Sequence, residues 1–426
     1  MFNPRHIYTI LLWLLLPYIF FHLLWRARKQ PEYLQHIAER FGFYSVHSEK
    51  PVIWLHTVSV GETRAAASLV HGLQATYPGH QILLTHTTPT GRETSEQLYG
   101  DKVLRVYLPY DFPFAVRRFL RHFKPRVGVL LETEIWFNLI YDCHITNVPL
   151  LLLNGRLSDK SAKRYARIPN LTGAGLSQLG GVSAQSEEDA ARLRTLGAQN
   201  VSVMGNLKYE IEPPPAMLES GRQLRIMFGA DRPVFLAAST RVGEEALLLD
   251  ALKRVEVPAL LTVIVPRHPQ RFDEVATLLT HHNVRFQRRS EKRPIAADTQ
   301  VVLGDSMGEM FAYYTACDIA FIGGSLLPFG GQNLIEACAV GKPVLIGPHT
   351  YNFTQASILA VAQGAALQVQ DANSLAHALQ QLLTHPESRA KMGAAGLAFV
   401  NANRGATDLA VASISKALAA SHDISA

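Results

Sequence analysis

The amino-acid sequence predicts an α/β protein with two doubly wound parallel sheets, preceded by an apolar helix. Three observations lead to this fold class. A chain of 426 residues is too long for one ordinary core. Short apolar runs alternate with helical segments, as in βαβ units. A proline-rich stretch at 212–215 interrupts this alternation halfway along the chain. We therefore expect an anchor at 1–30 and two α/β domains at 31–210 and 211–426, which face a common cleft.

The first element is the apolar segment 7–25, interrupted by Pro17, His22 and a few hydroxyl side chains. As a helix it would be about 28 Å long, close to the hydrocarbon core of a bilayer, which is about 30 Å thick. No small-residue cleavage site follows, so we expect a membrane anchor that is retained. The basic residues that come next predict that the globular part lies in the cytoplasm; they are Arg26, Arg28 and Lys29. Because Pro17 and His22 weaken the span, a half-inserted interfacial helix is the alternative.

The first half of the chain contains six predicted strands, each a short apolar run, at 52–56, 82–85, 103–108, 127–131, 150–153 and 182–184. Helical patterns lie between them, for example at 63–77, 114–123 and 187–196. Apolar runs of this kind are typical of parallel strands that are covered on both faces.

The second half repeats the pattern. Its predicted strands lie at 234–238, 261–265, 301–304, 319–322 and 344–346, and the chain from residue 374 onward is Ala-rich and helical.

The composition favours anionic partners. The chain has 41 basic and 35 acidic residues, a net charge of +6, which suits phosphates, sugar acids or an acidic membrane surface. No zinc-finger spacing or aromatic-basic RNA motif occurs, so no nucleic acid is expected. Three scattered cysteines indicate reduced thiols rather than a disulfide framework. No H-E-x-x-H or G-x-S-x-G motif supports a hydrolase.

Glu62 lies where the first strand of this half gives way to a helix, in V-I-W-L-H-T-V-S-V-G-E at 52–62. In an open α/β sheet, ligands bind at the carboxyl ends of the strands, so a carboxylate there can act on a substrate. The alternative is that Glu62 only caps the helix, where the dipole would stabilise its charge by roughly 0.3–1 kcal/mol.

Two more groups of the first half are candidates. Glu132 and Glu134 follow the strand at 127–131. Such a pair seldom binds a metal on its own, and no Asp-x-Asp pair occurs, so the sequence favours a metal-free reaction in which basic residues or helix ends take up the charge. Lys208 lies at the hinge and either reaches into the cleft or is a solvated linker lysine.

The second half has three unusual loops at successive strand ends. P-R-H-P at 266–269 aims Arg267 and His268, and D-S-M-G-E at 305–309 opens a helix that Asp305 or Ser306 would cap. The third loop carries G-G-S at 323–325 and G-G-Q-N-L-I-E at 330–336. Its glycines allow close approach of a ligand, a helix that starts near Asn333 would offer free N–H groups to an anion, and Glu336 would accept hydrogen bonds from a ribose. The alternative is that these loops only reverse the chain.

Several motifs together resemble the 3-deoxy-D-manno-octulosonic acid (Kdo) transferases of lipopolysaccharide synthesis. They are H-T-V-S-V-G-E at 56–62, T-P-T-G at 88–91, Y-L-P-Y-D at 107–111, E-T-E-I-W at 132–136, P-R-H-P at 266–269, D-S-M-G-E at 305–309 and F-I-G-G-S at 321–325. The resemblance implies a GT-B glycosyltransferase with two Rossmann-like domains. It also implies CMP-Kdo as the donor, held mainly by the second domain, the lipid A precursor (lipid IVA) as the acceptor, held by the first, and inversion at the anomeric carbon.

Residue roles follow from the resemblance. Glu62 would be the catalytic base, and Glu132 and Lys208 would support the transition state. The CMP part of the donor would be held by Pro266, Arg267, Met307, Gly308, Glu309, Asn333, Leu334, Ile335 and Glu336. No metal or other cofactor is expected.

The chain departs from the family pattern at two places. Trp136-Phe137-Asn138 replaces W-P-N, which would remove a rigid turn. At 330–336 the chain reads G-G-Q-N-L-I-E where the family has G-G-H-N-P-L-E. Gln332 replaces the histidine, so no acid role is expected there. Leu334 replaces the proline. Two other functions are compatible with the pattern: a nucleotide-sugar 2-epimerase, which would not need the membrane segment, and a tethered scaffold without activity.

Overall fold

The computed structural model describes residues 3–423, which form two compact units. One contains residues 3–210 and 404–423, and the other is Ile211–Asn403. Each unit has a seven-stranded sheet whose strand pairs are all parallel. This confirms the predicted class of two doubly wound α/β domains.

The sheet of the first unit has the order β3-β2-β1-β4-β5-β6-β7. Its strands are β1 Val52–His56, β2 Gln81–His86, β3 Leu104–Tyr107, β4 Pro125–Leu131, β5 Leu150–Gly155, β6 Gly181–Ala184 and β7 Val201–Val203. All six predicted strands are confirmed. The additional strand, β7, is a half-exposed edge strand and so lacks the fully apolar pattern of the others.

The helices of the first unit begin with α1 Pro4–Ala27, which covers the predicted apolar segment. The predicted helix 63–77 is divided at Ala66 into α2 and α3. The helices up to the hinge are α2 Val60–Ala65, α3 Ala67–Thr76, α4 Pro89–Tyr99, α5 Pro113–Phe123, α6 Phe137–Ile145, α7 Asp159–Tyr165, α8 Pro169–Ser177 and α9 Glu187–Thr195.

The sheet of the second unit has the order β10-β11-β9-β8-β12-β13-β14. Its strands are β8 Val234–Thr240, β9 Leu261–Pro266, β10 Phe286–Arg288, β11 Val301–Leu303, β12 Ile319–Ile322, β13 Val344–Ile346 and β14 Ala366–Gln368. All five predicted strands are confirmed, and the two that were not predicted, β10 and β14, are the three-residue edges of the sheet.

The second unit begins after the extended, proline-rich stretch, which is neither helix nor strand before Pro215. Its helices are α10 Pro215–Phe228, α11 Glu244–Leu252, α12 Phe272–His281, α13 Met310–Ala316, α14 Ile335–Ala339, α15 Thr354–Ala362, α16 Ala372–Thr384 and α17 Pro386–Ala402.

The last helix, α18 Ala406–Asp423, belongs to the first unit. The predicted second domain, 211–426, is therefore wrong for residues 404–423. The apolar positions Ala406, Ala410, Ile414 and Leu418 recur every four residues and lie in the core that α3 covers. Hydrogen bonds join the same two helices, from Thr407 to Ser68 at 2.8 Å and from Tyr77 to Ser415 at 2.6 Å. The sequence showed the helix but not which sheet its apolar face would meet.

The order of strands places a reversal point in each sheet. Along the chain, strands are added on one side of β1 up to β3 and then on the other side from β4, so the reversal lies between β1 and β4. In the second sheet it lies between β8 and β12. At such a point the loops after the two strands diverge and leave a crevice for a ligand.

A buried Trp54 fixes the packing between β1 and β4. A Cβ atom on Gly128 would lie 2.5 Å from Cε3 of Trp54, and the indole Nε1 donates to Thr85 Oγ1 at 2.8 Å, which holds the ring in place. We expect Gly128→Ala to lower the free energy of unfolding by about 1–3 kcal/mol because the core is overpacked. Urea denaturation checks this, with Gly79→Ala as the control, since no heavy atom of the described residues lies within 4 Å of a Cβ built there. Equal denaturation midpoints for both variants would contradict the packing argument.

Candidate active site

Glu62 lies in the first turn of α2, directly after β1. Ser59 is the N-cap residue of α2, and its Oγ accepts from the N–H of Glu62 at 3.4 Å. The Glu62 carboxylate in turn accepts from Ser59 Oγ at 2.9 Å and from the N–H of Val58 at 2.8 Å. Ser59, not Glu62, is therefore the cap of α2, and Glu62 supports the first turn of this helix by accepting from the two residues before it. The side chain is only half-buried, so the cap leaves part of the carboxylate accessible.

The surroundings of Glu62 give it the properties of a proton acceptor. Burial raises the pKa of its carboxyl to about 7, against the hydrogen bonds from Val58 and Ser59, and the charges of Glu132 and Glu134 raise it further. A helix N-terminus alone would lower this pKa. A carboxylate with a pKa near neutrality can take a proton at neutral pH and still be partly ionised before the reaction.

Glu132 follows β4, on the other side of the reversal point from Glu62. Its backbone is left-handed, with φ of 61°, a conformation that costs a non-glycine residue about 1–3 kcal/mol. Its Oε1 lies 3.3 Å from Nζ of Lys208, and both side chains are about one-fifth exposed. The interpretation of Lys208 as a solvated linker lysine is therefore wrong, because the lysine is held beside the carboxylates of the first unit.

Glu134 and His56 complete this cluster. The indole Nε1 of Trp136 donates to Glu134 Oε2 at 2.8 Å, and His56 Nε2 lies 3.9 Å from the same oxygen. Burial raises the pKa of Glu134, opposed by the Trp136 hydrogen bond. Burial also lowers the pKa of His56 to about 3, so this ring is neutral at neutral pH. His56 belongs to the motif at 56–62, but no role was predicted for it; its signal is a histidine at the end of an otherwise apolar strand.

The departure at Phe137 does not remove the turn before α6. The buried carboxylate of Asp111 accepts from the N–H groups of Asn138 at 3.0 Å and Leu139 at 2.8 Å, so it caps the helix from the loop after β3. The Phe137 ring packs edge-on against Tyr8 of α1, with 5.2 Å between ring centroids. A rigid proline is therefore not needed for α6 to begin at this position.

A cavity of about 340 Å³ lies beside the carboxylate cluster. Glu134 and Trp136 form part of its lining, and Arg40 and Tyr110 form another part. Side chains of α1 also line it, namely Tyr18, His22 and Arg26. The first unit therefore combines acidic groups with a mixed apolar and basic pocket of its own.

In the second unit, the three predicted loops follow β9, β11 and β12. The sheet order β11-β9-β8-β12 places the three strands close together, with only β8 between β9 and β12. Because these strands are parallel, the three loops leave the same edge of the sheet. Burial raises the pKa of Tyr314, and the charges of Glu336 and Arg267 act on it in opposite directions. Two of the predicted site residues thus lie near one buried ring.

The loop at 305–309 differs from the prediction in one respect. Neither Asp305 nor Ser306 caps a helix, because α13 begins only at Met310 and has no side-chain cap. Asp305 instead accepts from the N–H and Oγ of Ser290 at 2.8 and 2.7 Å. Glu309 accepts from Arg289 at 3.2 Å. Met307 is exposed, and Gly308 has a φ of 80°, which suits a tip where a ligand contacts backbone.

The segment 333–336 also differs. The helix α14 begins at Ile335 and has five residues, and Asn333 Oδ1 already accepts from the N–H of Ile335 at 3.0 Å. Asn333 Oδ1 thus occupies one of the N–H groups on which the predicted anion site depends, and that site stays a prediction. Leu334 and Ile335 are buried in the core, so a ligand could meet only their backbone. Asn333 Nδ2 donates to Glu336 Oε1 at 3.2 Å, which orients that carboxylate.

Glu244 is a structural element of this site that was not predicted from the sequence. It is fully buried and accepts from the N–H groups of Gly324 at 2.6 Å, Arg241 at 2.9 Å and Leu326 at 3.0 Å. It thereby ties the loop after β8 to the glycine-rich loop after β12. Burial raises its pKa, against these three hydrogen bonds. In the sequence it reads as an ordinary acidic residue in the first turn of a helix.

Gly323 shows how closely these two loops approach each other. A Cβ atom there would lie 2.5 Å from the carbonyl oxygen of Ser239, so only glycine fits.

Comparison with known proteins establishes the family. Residues 35–211 match the family model of the 3-deoxy-D-manno-octulosonic-acid transferases, and residues 244–398 match that of the glycosyl transferases group 1. The 3-deoxy-D-manno-octulosonic acid transferase of Haemophilus influenzae is 40% identical over 94% of this chain and 96% of its own length. The chain belongs to the Kdo transferase family. The Bordetella pertussis enzyme of the same name is 41% identical over 95% of this chain and 97% of its own.

The family assignment confirms the resemblance drawn from the motifs, and with it a glycosyltransferase activity. Solved structures agree on the fold. A glycosyltransferase from Rickettsia africae has a TM-score of 0.58 at 16% identity, covering 88% of this chain and 99% of its own. The UDP-GlcNAc 2-epimerase of Neisseria meningitidis has a TM-score of 0.59 at 18% identity, covering 86% and 100%. The fold alone therefore does not separate a Kdo transferase from an epimerase. The 40% identity to a Kdo transferase assigns this chain to the transferases.

Proposed function

We propose that the protein transfers Kdo from CMP-Kdo to the lipid A precursor, with inversion at the anomeric carbon and without a metal ion. The observation that carries this proposal is the Glu62 carboxylate, which lies at the reversal point of the first sheet with its pKa raised to about 7. A base with these properties suits the removal of a proton from a sugar hydroxyl.

In the proposed step, the hydroxyl oxygen of the acceptor attacks the anomeric carbon from the side opposite CMP. The hydroxyl proton goes to Glu62 as the new carbon–oxygen bond forms. The bond from the anomeric carbon to the phosphate oxygen breaks, and its electron pair leaves with CMP. One displacement inverts the configuration. Base assistance contributes about 10²- to 10⁴-fold, and orientation of the two substrates supplies much of the rest.

Glu132 and Lys208 are proposed to support the transition state. Their 3.3 Å ion pair keeps a positive charge beside the carboxylates of the first unit. That charge would help to stabilise negative charge that develops in the transition state. The donor is proposed to bind the loops of the second unit, with Arg267 at its phosphate and Glu336 at its ribose. The other residues proposed for CMP-Kdo are Pro266, Met307, Gly308, Glu309, Asn333, Leu334 and Ile335.

Mass spectrometry of the lipid products tests the reaction. Incubation with CMP-Kdo and the lipid A precursor should add Kdo to the lipid and release CMP in equal amount. Release of free sugar with no lipid product would contradict the proposed acceptor.

The raised pKa of Glu62 predicts the pH dependence. The base is active only when ionised, so kcat/KM should rise as the pH passes about 7 and level off above it. Initial rates measured at constant ionic strength check this profile. A kcat/KM that falls with pH through this range would contradict Glu62 as the base.

Attachment to the inner membrane is proposed from α1. This helix has 24 residues and a mean hydropathy of 2.0 in its most apolar window, which makes it long and apolar enough to span a bilayer. A lipid acceptor stays in the bilayer, so an enzyme held at the cytoplasmic surface meets it without leaving the membrane.

A further inference from the structure

Helix α1 is bonded to the first unit near its N-terminal end. Arg5 Nη1 donates to Asn138 Oδ1 at 3.1 Å, and Thr9 Oγ1 donates to the same oxygen at 3.0 Å. The Tyr8 hydroxyl donates to the buried carboxylate of Asp111 at 2.9 Å. These polar contacts fix the first two turns of the helix on the globular fold.

The contacts continue to the other end of the helix. The Trp13 ring lies 5.0 Å from the ring of Phe112. Leu23 and Ala27 are buried against Tyr33. The less exposed positions recur every three or four residues, which is one face of a helix; they are Pro4, Arg5, Tyr8, Thr9, Leu12, Leu16, Ile19, His22, Leu23 and Ala27. Residues 5–13 of α1 contact the globular fold, residues 18–26 line the cavity, and the C-terminal end packs on the segment that follows α1.

The opposite face of α1 is apolar and open. Leu14 and Phe21 are 72% and 73% exposed, and Ile10, Leu11 and Leu24 are exposed as well. Exposed apolar surface of this extent on one helix indicates a membrane or a partner.

Basic residues flank this open face. At the end of α1 they are Arg26, Arg28 and Lys29, and α1 itself contains no acidic residue. Helix α5 lies next to α1, because Phe114 in its first turn stacks on Trp13 with 5.7 Å between centroids. This helix adds Arg117, Arg118 and Arg121. An apolar helix face with basic residues at the end of that helix and on the neighbouring one suits an anionic lipid leaflet.

A docked helix of this kind cannot cross the bilayer alone. If α1 ran through the hydrocarbon, the part of the first unit that contacts its residues 5–13 would have to lie in or beyond the hydrocarbon too. That surface includes the half-exposed guanidinium of Arg117, which pairs with Asp142 at 3.2 Å. Charged groups at that depth are strongly unfavourable.

We propose that α1 lies parallel to an anionic leaflet, with one face docked on the first unit and the other inserted among the lipids. Both ends of the helix are then on the side of the globular fold. Of the two alternatives for the apolar segment, the geometry favours the interfacial helix. The inference depends on the proposed membrane attachment and is independent of the reaction. It also makes α1 a wall of the 340 Å³ cavity at the membrane surface.

Cysteine labelling tests the orientation. The native thiols, Cys143, Cys317 and Cys338, are buried, so a Cys-Gly-Ser extension placed ahead of Met1 and Glu96→Cys at an exposed position of α4 give the signals. A membrane-impermeant maleimide should label both variants in inverted inner-membrane vesicles and neither in intact spheroplasts. Labelling of the extension only in spheroplasts, with Glu96→Cys labelled only in inverted vesicles, would overturn the inference and leave membrane attachment intact.

Flotation with phosphatidylglycerol vesicles tests attachment by the open face. The double variant Leu14→Glu, Phe21→Glu should bind these vesicles at least about tenfold more weakly, with an unchanged thermal unfolding midpoint because both side chains are exposed. Leu98→Glu, at an exposed apolar position on α4, is the matched control and should bind as the unmodified protein does. An unmodified protein that does not float would overturn the attachment itself, and equal binding by the double variant would overturn insertion of this face.

Discussion

Replacement of Glu62 by glutamine is expected to lower kcat by about 10²- to 10⁴-fold, the usual contribution of a general base. The amide has the same shape as the carboxylate but cannot take a proton from the acceptor. Its oxygen can still accept from the N–H of Val58, and its NH₂ can donate to Ser59 Oγ, so the cap of α2 is retained. Initial rates of Kdo transfer to the lipid A precursor measure the effect.

The matched control for this variant is Glu96→Gln, which changes an exposed glutamate on α4 of the same unit. It should transfer Kdo at the rate of the unmodified protein. Glu62→Gln should also lose the rise of kcat/KM through pH about 7, since the group responsible for it is gone. Transfer by Glu62→Gln at the unmodified rate would contradict the role of Glu62, whatever its effect on stability.

Replacement of Glu244 by alanine is expected to destabilise the second unit and to weaken binding of CMP. The change leaves the buried N–H groups of Gly324 and Leu326 and the partly buried one of Arg241 without their acceptor. Each unsatisfied group costs about 1–3 kcal/mol, so a loss of about 3 kcal/mol or more in the free energy of unfolding is expected. The glycine-rich loop should then no longer hold its conformation, and CMP affinity should fall about 10- to 100-fold, which corresponds to about 1.4–2.8 kcal/mol.

Calorimetry checks both effects, by thermal unfolding and by titration with CMP at a temperature where the variant is folded. Glu244→Gln, which keeps one acceptor oxygen, should lie between the alanine variant and the unmodified protein. Glu256→Ala, at an exposed position of the same unit, should change neither quantity. Unchanged CMP affinity in folded Glu244→Ala would show that this loop does not serve the donor.

The interior strands were predictable because a strand covered on both faces must be apolar along its whole length, as β1 and β12 are. The strands that escaped prediction are edges, where the buried pattern is incomplete, as in β7. The helix α18 was predictable as a helix but not as part of the first unit. Its partner α3 lies more than three hundred positions away in the sequence, and nothing local records that pairing.

The residues of the candidate site were likewise predictable only in part. Glu62 and Glu132 were predictable because each follows an apolar strand, and parallel strands bring such positions to one edge. The roles of Glu244 and His56 depend on groups distant in sequence, such as the N–H of Gly324 and the Glu134 carboxylate. The hydrogen bond from the first amide of α14 to the Asn333 side chain was likewise not predictable from the sequence. The sequence shows which polar groups are present, and only the fold shows which of them already have a hydrogen-bond partner.

The return of α18 to the first unit makes the second unit an insertion within it. During synthesis on the ribosome, the first sheet emerges well before the segment that covers α3, so the nascent fold must wait for almost the whole polypeptide. A chain cut short before residue 404 would leave that apolar surface uncovered and open to aggregation or to a chaperone.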